Sequence, residues 1–312
     1  MQRKFLTYCL LFFIPVVIGY FALEYFSGQL PSALSENEKY LKNEQNSIQT
    51  LVLGSSQMQG AINPEWLDSP TLNLASGDQH HDTDFKLLKE MISRLPKLET
   101  VVLEVSYSHF ELPHNGKNFW KNSLYLKYYN VNCFERSTYF KDRLLYLANP
   151  NFYSKQLHSH YVKRIDRTSF NDFGFNMNNY KGAFEELKYD EQRIADMRSF
   201  KINRKPNLQI FEINTALFHK MLEFLAKKEL QVIITKVPMY KTYHNKKVPA
   251  ILERRDSVIS TILMQYPNTH LLDLENDTLN YNVEDYWNQS HLNPDGGLKF
   301  TAQLNSLLNT LE

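Results

Sequence analysis

Leu51-Val52-Leu53-Gly54-Ser55-Ser56-Gln57 decides how the chain is read. An apolar run without polar alternation suits a strand buried on both faces, as in a parallel sheet. It ends in Gly-Ser-Ser, and the residues beyond can open a helix. The first strand is expected over Gln49–Leu53. Thr100–Val105 (TVVLEV) repeats the pattern, and Gln231–Val237 (QVIITKV) does so again before Pro238 stops it. Shorter strands are expected at Thr71–Leu74 and His270–Leu274. Helical spacing fills the intervals at Phe85–Arg94, Phe211–Lys228, Val248–Gln265 and Pro294–Leu311, the last with proline at an early helical position. This alternation predicts an α/β fold, a three-layer α/β/α sandwich around a mainly parallel sheet. Between Phe110 and Pro206 the alternation breaks. Residues 110–206 are rich in Tyr, Asn and Lys and read as a largely helical insertion, with short helices expected at Arg136–Leu147 and Phe184–Arg198.

Towards the N-terminus, Arg3 and Lys4 precede Phe5 to Leu23, an uncharged run of Leu, Phe, Ile and Val. About 20 such residues span a hydrocarbon core. A cleaved signal peptide should end in a small-x-small site, and the spacing around Gly19-Tyr20-Phe21-Ala22 is wrong for one. Residues 1–26 are therefore expected to form a cytoplasmic tip and a single transmembrane helix. The cationic pair keeps the N-terminus cytoplasmic and places the rest outside the inner (cytoplasmic) membrane. Residues 27–48 are polar, carry Gly, Pro and Ser, and read as a stalk. The α/β domain is expected over 49–312.

The 312 residues carry 35 basic and 34 acidic side chains, so no broad nucleic-acid-binding surface is expected. The 19 Tyr and 20 Phe suit carbohydrate contacts, but a bulky core is the plainer reading. Cys9 and Cys133 lie too far apart in character and position to read as a disulfide. No Gly-rich phosphate loop, paired-cysteine motif or HExxH is present, so neither a cofactor nor a metal is expected. The histidines at 80, 81, 109, 114, 158 and 160 lack the spacing of a four-ligand site and read as loop residues.

Three segments can carry chemistry. Ser56 follows an apolar strand, and ligands of parallel α/β sheets bind at the carboxyl ends of strands. Backbone N–H groups at such a turn can hold an oxyanion. Taken alone, the turn reads more readily as a plain turn with a serine helix cap. His291, in Asn288-Gln289-Ser290-His291-Leu292-Asn293-Pro294, precedes the last helix and can serve as the base for Ser56. Gly77, in Asn73-Leu74-Ala75-Ser76-Gly77, closes the second strand and can bring a second N–H to the same oxygen.

Together these segments resemble the SGNH (GDSL-like) hydrolase superfamily, over roughly 49–110 and 207–312. Gly54-Ser55-Ser56-Gln57 fills the first block, with Ser55 where the family has Asp. Gly77 fits the second, and His291 with its following Leu-Asn-Pro-x-Gly fits the last. The likeness extends to the membrane-anchored branch of alginate O-acetyltransferase-like and D-alanyl-lipoteichoic acid biosynthesis proteins, through Gly54-Ser55-Ser56, Pro64 and Leu95-Pro96-Lys97. The resemblance implies an extracytoplasmic O-acyltransferase or esterase. Ser56 would be the nucleophile, His291 the base, and the N–H groups of Ser56 and Gly77 the oxyanion hole. It also implies an acyl donor, a cell-surface glycan acceptor and a multi-span membrane acyltransferase as partner. Two departures stand out. The family's acid position holds Asn288, with Asp285 as another candidate to orient His291. The third block, Gly-x-Asn-Asp, is replaced by Glu104-Val105-Ser106-Tyr107. Both also fit a catalytically degenerate member that binds glycan or scaffolds an export or modification complex.

Overall fold

The computed structural model describes residues 2–136, 139–165, 168–197 and 200–311. They fall into two compact units, one of residues 1–32 and 116–167, the other of 33–115 and 168–312. In chain order the main helices are α1 (Gln2–Gly28), α2 (Ala33–Glu44), α3 (Ser56–Ala61), α4 (His81–Ile92), α5 (Pro150–Leu157), α6 (Leu208–Ala226), α7 (Pro249–Gln265) and α8 (Pro294–Leu311).

The first unit is helical. Helix α1 runs 27 residues, and among the described helices it is the one long and apolar enough to cross a membrane. The Glu24 carboxylate, near its end, accepts the backbone N–H groups of Leu145 and, at 2.9 Å, Tyr146. Those amides start the short helix Leu145–Ala148, so Glu24 satisfies donors that a helix start leaves open. Tyr125, Tyr129 and Tyr153 form part of the buried interior. The helix expected over Arg136–Leu147 is two pieces, Tyr139–Asp142 and Leu145–Ala148; Ser137 and Thr138 lie outside the described residues.

The second unit holds a five-stranded parallel sheet of β1 (Thr50–Leu53), β2 (Thr71–Asn73), β3 (Thr100–Glu104), β4 (Gln231–Lys236) and β5 (Thr269–Asp273), in the order β2-β1-β3-β4-β5. Each strand falls within a residue of its expected place. Val52, Val102, Ile233 and Leu272 share one face and pack with Met58 and Ala61 of α3 and Phe300 and Leu304 of α8. Alternate strand residues point the other way, where α4 and α6 meet through His81 and Phe218, rings 4.6 Å apart.

Two boundaries differ from the sequence reading. Residues 33–44 are not a free stalk: Ala33, Leu34, Asn37 and Leu41 are buried, and the Asn37 amide donates to the Asn73 carbonyl at 2.6 Å. The polar composition hides a buried stripe at helical spacing, so the α/β unit begins at Ala33. The insertion also divides. Residues 116–167 belong with α1, whereas 168–206 belong with the α/β unit. The helix expected over Phe184–Arg198 breaks at Lys188 and Tyr189, both with positive φ, into Ala183–Glu186 and Glu191–Ala195. Arg198 lies outside the described residues.

Candidate active site

A sheet ordered 2-1-3-4-5 reverses direction of winding between β1 and β3, and the crevice at the carboxyl ends there is where such sheets bind ligands. Strand β1 delivers Gly54-Ser55-Ser56 to that point. Gly54 has φ +147, and a Cβ on it would come 2.8 Å from the Glu104 side chain and from Met58. Only glycine allows this close passage. Ser55 caps α3 by accepting the Gln57 N–H, and Ser56 is its first residue.

His291 arrives from the far end of the chain. Its segment is a small antiparallel hairpin, β6 (Tyr286–Asn288) and β7 (His291–Leu292), with Asn288 opposite His291. The hairpin brings the imidazole Nε2 to 2.8 Å from Ser56 Oγ across 235 positions of sequence. The other ring nitrogen, Nδ1, lies 3.1 Å from Asn288 Oδ1. Because Asn288 Oδ1 also accepts the Ser290 N–H at 2.8 Å, the amide is oriented with its oxygen towards the ring. Nδ1 therefore carries the proton and Nε2 is left to accept the serine hydroxyl. Ser290 Oγ sits 3.1 Å from Nδ1 and adds a second polar neighbour.

Asp285, the other candidate orienting residue, is engaged elsewhere. Its carboxylate accepts the Asn282 N–H at 2.8 Å and pairs with Lys299 at 2.7 Å, closing the turn before β6. Gly77 lies beside the serine loop: the Ser76 N–H bonds the Gly54 carbonyl at 3.0 Å, continuing the β1–β2 ladder past the strand ends. The turn that follows carries Asp78 with φ 59.

Glu104, which ends β3, entered the sequence reading only as a departure from the third block, without a role of its own. It is fully buried beneath the serine loop. Its carboxylate accepts the Ser55 N–H at 2.6 Å and the Ser55 hydroxyl at 3.1 Å, so it holds the loop from below. Burial raises the Glu104 carboxyl above its ordinary range, and the two Ser55 bonds oppose that. Burial pushes His291 below its ordinary 6.5, while Glu104 pulls it up and Lys201 pushes it down. The signal was present in the sequence as a lone acidic residue in an otherwise apolar strand.

Behind Glu104 lie His81 and His109, which sequence reading left in loops. His81 Nε2 donates to the Glu104 carbonyl at 2.8 Å, and His109 stands 3.7 Å from its carboxylate. Burial pushes His109 down to about 3 and His81 well down, so both are neutral supports. Among the described residues no group of three His, Cys, Asp or Glu is arranged to hold a metal ion.

Ser56 and His291 open into a cavity of about 350 Å³. Its far wall comes from the late part of the insertion, through Phe170, Phe175, Asn176 and Asn179, and Trp287 closes one side. The Trp287 ring lies 6.2 Å from that of His291. Gly182 packs so tightly on it that a Cβ would come 2.3 Å from the Trp287 carbonyl oxygen.

No protein-family model matches this chain, and no curated protein matches it. Among solved structures it is similar to a GDSL-like lipase from Bacteroides thetaiotaomicron, at 8% identity over 89% of this chain and 99% of that one, TM-score 0.43. It is also similar to a provisionally designated lipolytic protein of the G-D-S-L family from Desulfitobacterium hafniense, at 11% identity over 84% and 99%, TM-score 0.41. A provisionally designated acylhydrolase from Bacteroides fragilis matches at 11% identity over 88% and 96%, TM-score 0.38. Likenesses this distant decide neither fold nor chemistry; both rest on the geometry above.

Proposed function

We propose that the chain is a serine-dependent esterase or O-acyltransferase of SGNH type, handling acyl esters of a cell-surface glycan. In this reading α1 anchors it in the cytoplasmic membrane with the N-terminus inside and the α/β unit outside. The single observation that carries the proposal is the 2.8 Å contact between Ser56 Oγ and a His291 whose other nitrogen is held by Asn288.

Ser56 Oγ attacks the acyl carbonyl carbon while its proton passes to His291 Nε2. The negative charge on the carbonyl oxygen is met by the N–H groups of Ser56 and Gly77. The bond to the leaving oxygen then breaks as His291 returns the proton to it, leaving an acyl-serine. A water molecule, or a sugar hydroxyl, attacks that ester while its proton passes to His291 Nε2. The acyl bond to Ser56 Oγ breaks, the proton returns to Oγ, and a free acid or a transferred ester leaves. Asn288 keeps the required tautomer throughout. The aromatic and amide residues of the cavity wall suit a sugar, whose faces stack on rings and whose hydroxyls bond amides. The donor side follows the resemblance to the membrane-anchored branch: an acyl group exported by a multi-span membrane acyltransferase.

The test is hydrolysis of p-nitrophenyl acetate by the purified full chain beside Ser56→Ala and His291→Ala. Loss of activity in both, with an acyl mass adduct on Ser56 in the parent, supports the reading; equal rates in all three remove it. A second reading is a non-catalytic glycan-binding or scaffolding protein of the same fold. The neutral Asn288 and the missing asparagine after β3 favour it. Glycan binding with no Ser56-dependent turnover is its signature.

A further inference from the structure

We infer that the α1 unit carries a platform that lies on the outer headgroup layer of the same bilayer that α1 spans. The inference rests on the anchor reading above and goes beyond it. From Phe5 to Glu24 a helix rises about 30 Å, the thickness of a hydrocarbon core. Glu24 is thus placed at the outer membrane boundary. At that level Glu24 binds the amides of Leu145 and Tyr146, Tyr20 meets Tyr146 with rings 6.4 Å apart, and Phe26 meets Tyr161 at 5.2 Å. Residues 145–162 are therefore fixed to the last turns of the spanning helix.

This segment leaves apolar side chains uncovered within its unit: Leu147, Phe152, Tyr161, Ile165, and Val162 at 68% exposure. Lys155, Lys163 and Arg164 are exposed beside them. From Arg143 to Ile165 no acidic residue occurs, although the whole chain is balanced at net +1. Aromatic and aliphatic side chains flanked by cations, on a stretch that bears no carboxylate of its own between Asp142 and Asp166, match the boundary between acyl chains and anionic headgroups. Continuity with the lipid-facing surface of α1 and this charge asymmetry select the bilayer over a protein partner.

The test places an NBD fluorophore at Val162→Cys in the full chain with Cys9→Ser and Cys133→Ser, reconstituted in nanodiscs containing phosphatidylglycerol. The same dye at Ile14→Cys marks the spanning helix, and NBD-cysteine in buffer marks water. The platform predicts blue-shifted emission at 162, quenching by nitroxide lipids and a loss of iodide quenching towards the level at 14. Adding Lys163→Glu and Arg164→Glu should restore iodide quenching at 162 while leaving 14 unchanged. Full iodide access at 162 with 14 still lipid-quenched overturns the platform and spares the anchor. Iodide access at both positions overturns both. Shielding of 162 from iodide and from lipid quencher alike assigns the surface to a protein and also overturns the inference. A thermal melt of each labelled chain separates these outcomes from misfolding.

Discussion

His291 uses both ring nitrogens, and each can be tested separately. Asn288 is a neutral acceptor where an orienting carboxylate would add charge. Asn288→Asp keeps the Ser290 N–H and His291 Nδ1–H bonds but places a negative charge 3.1 Å from the ring. It should raise the His291 pKa and lift turnover by about tenfold, since a charged orienting partner supports the imidazolium formed in the reaction. The base must be neutral to act, and burial lowers its pKa from 6.5. The acid limb of kcat/KM should therefore lie below pH 6.5 in the parent and move upward in Asn288→Asp. An unmoved limb would show that residue 288 does not govern this histidine. Glu104 acts in the same direction from below. Glu104→Gln removes a negative charge and leaves one acceptor oxygen where Ser55 now uses two, so the limb should move to lower pH. Turnover should fall roughly 10- to 100-fold through misplacement of the serine loop. A lower rate with an unshifted limb would make Glu104 a loop support only.

At the scale of elements, the segment 168–182 and the β6–β7 hairpin build the cavity wall against the rim of the sheet. Asn176→Ala with Asn179→Ala should raise KM for an acylated glycan by about tenfold and leave p-nitrophenyl acetate hydrolysis within twofold, because the small ester needs no acceptor contacts. Equal losses on both substrates would assign these amides to folding. A second element contact ties α7 to the end of β5. Arg255, buried, places two guanidinium bonds of 2.7 and 2.8 Å on buried Glu275, and Lys247 stands 3.0 Å away. Burial pushes Glu275 up, yet these cations hold it down at about 2. Its pKa is lowered, so its stabilisation is present above the ordinary carboxyl range near 4.5 and is lost as pH falls towards 2. Arg255→Met leaves a buried carboxylate with one partner and should cost about 3 kcal/mol in urea unfolding at pH 7. The deficit should shrink at pH 4, where Glu275 of the variant takes up a proton.

For the whole molecule, the anchor reading predicts that the full chain stays with membranes after carbonate washing and that a chain lacking residues 2–28 does not. Release of the full chain would end that reading. The strands, the long helices and the apolar terminal run were legible in the sequence because their signals are local: periodicity, β-branched content and length act within a dozen residues. Ser56 and His291 could be nominated the same way, each from its own turn. The 2.8 Å between them could not, since it depends on the order in which strands pair and on a hairpin too short to show a period. The burial of α2, the division of the insertion and the place of Glu104 were decided by tertiary structure for a related reason. Whether a polar residue faces water or a neighbouring strand end is set by what packs on it, and no local pattern records that.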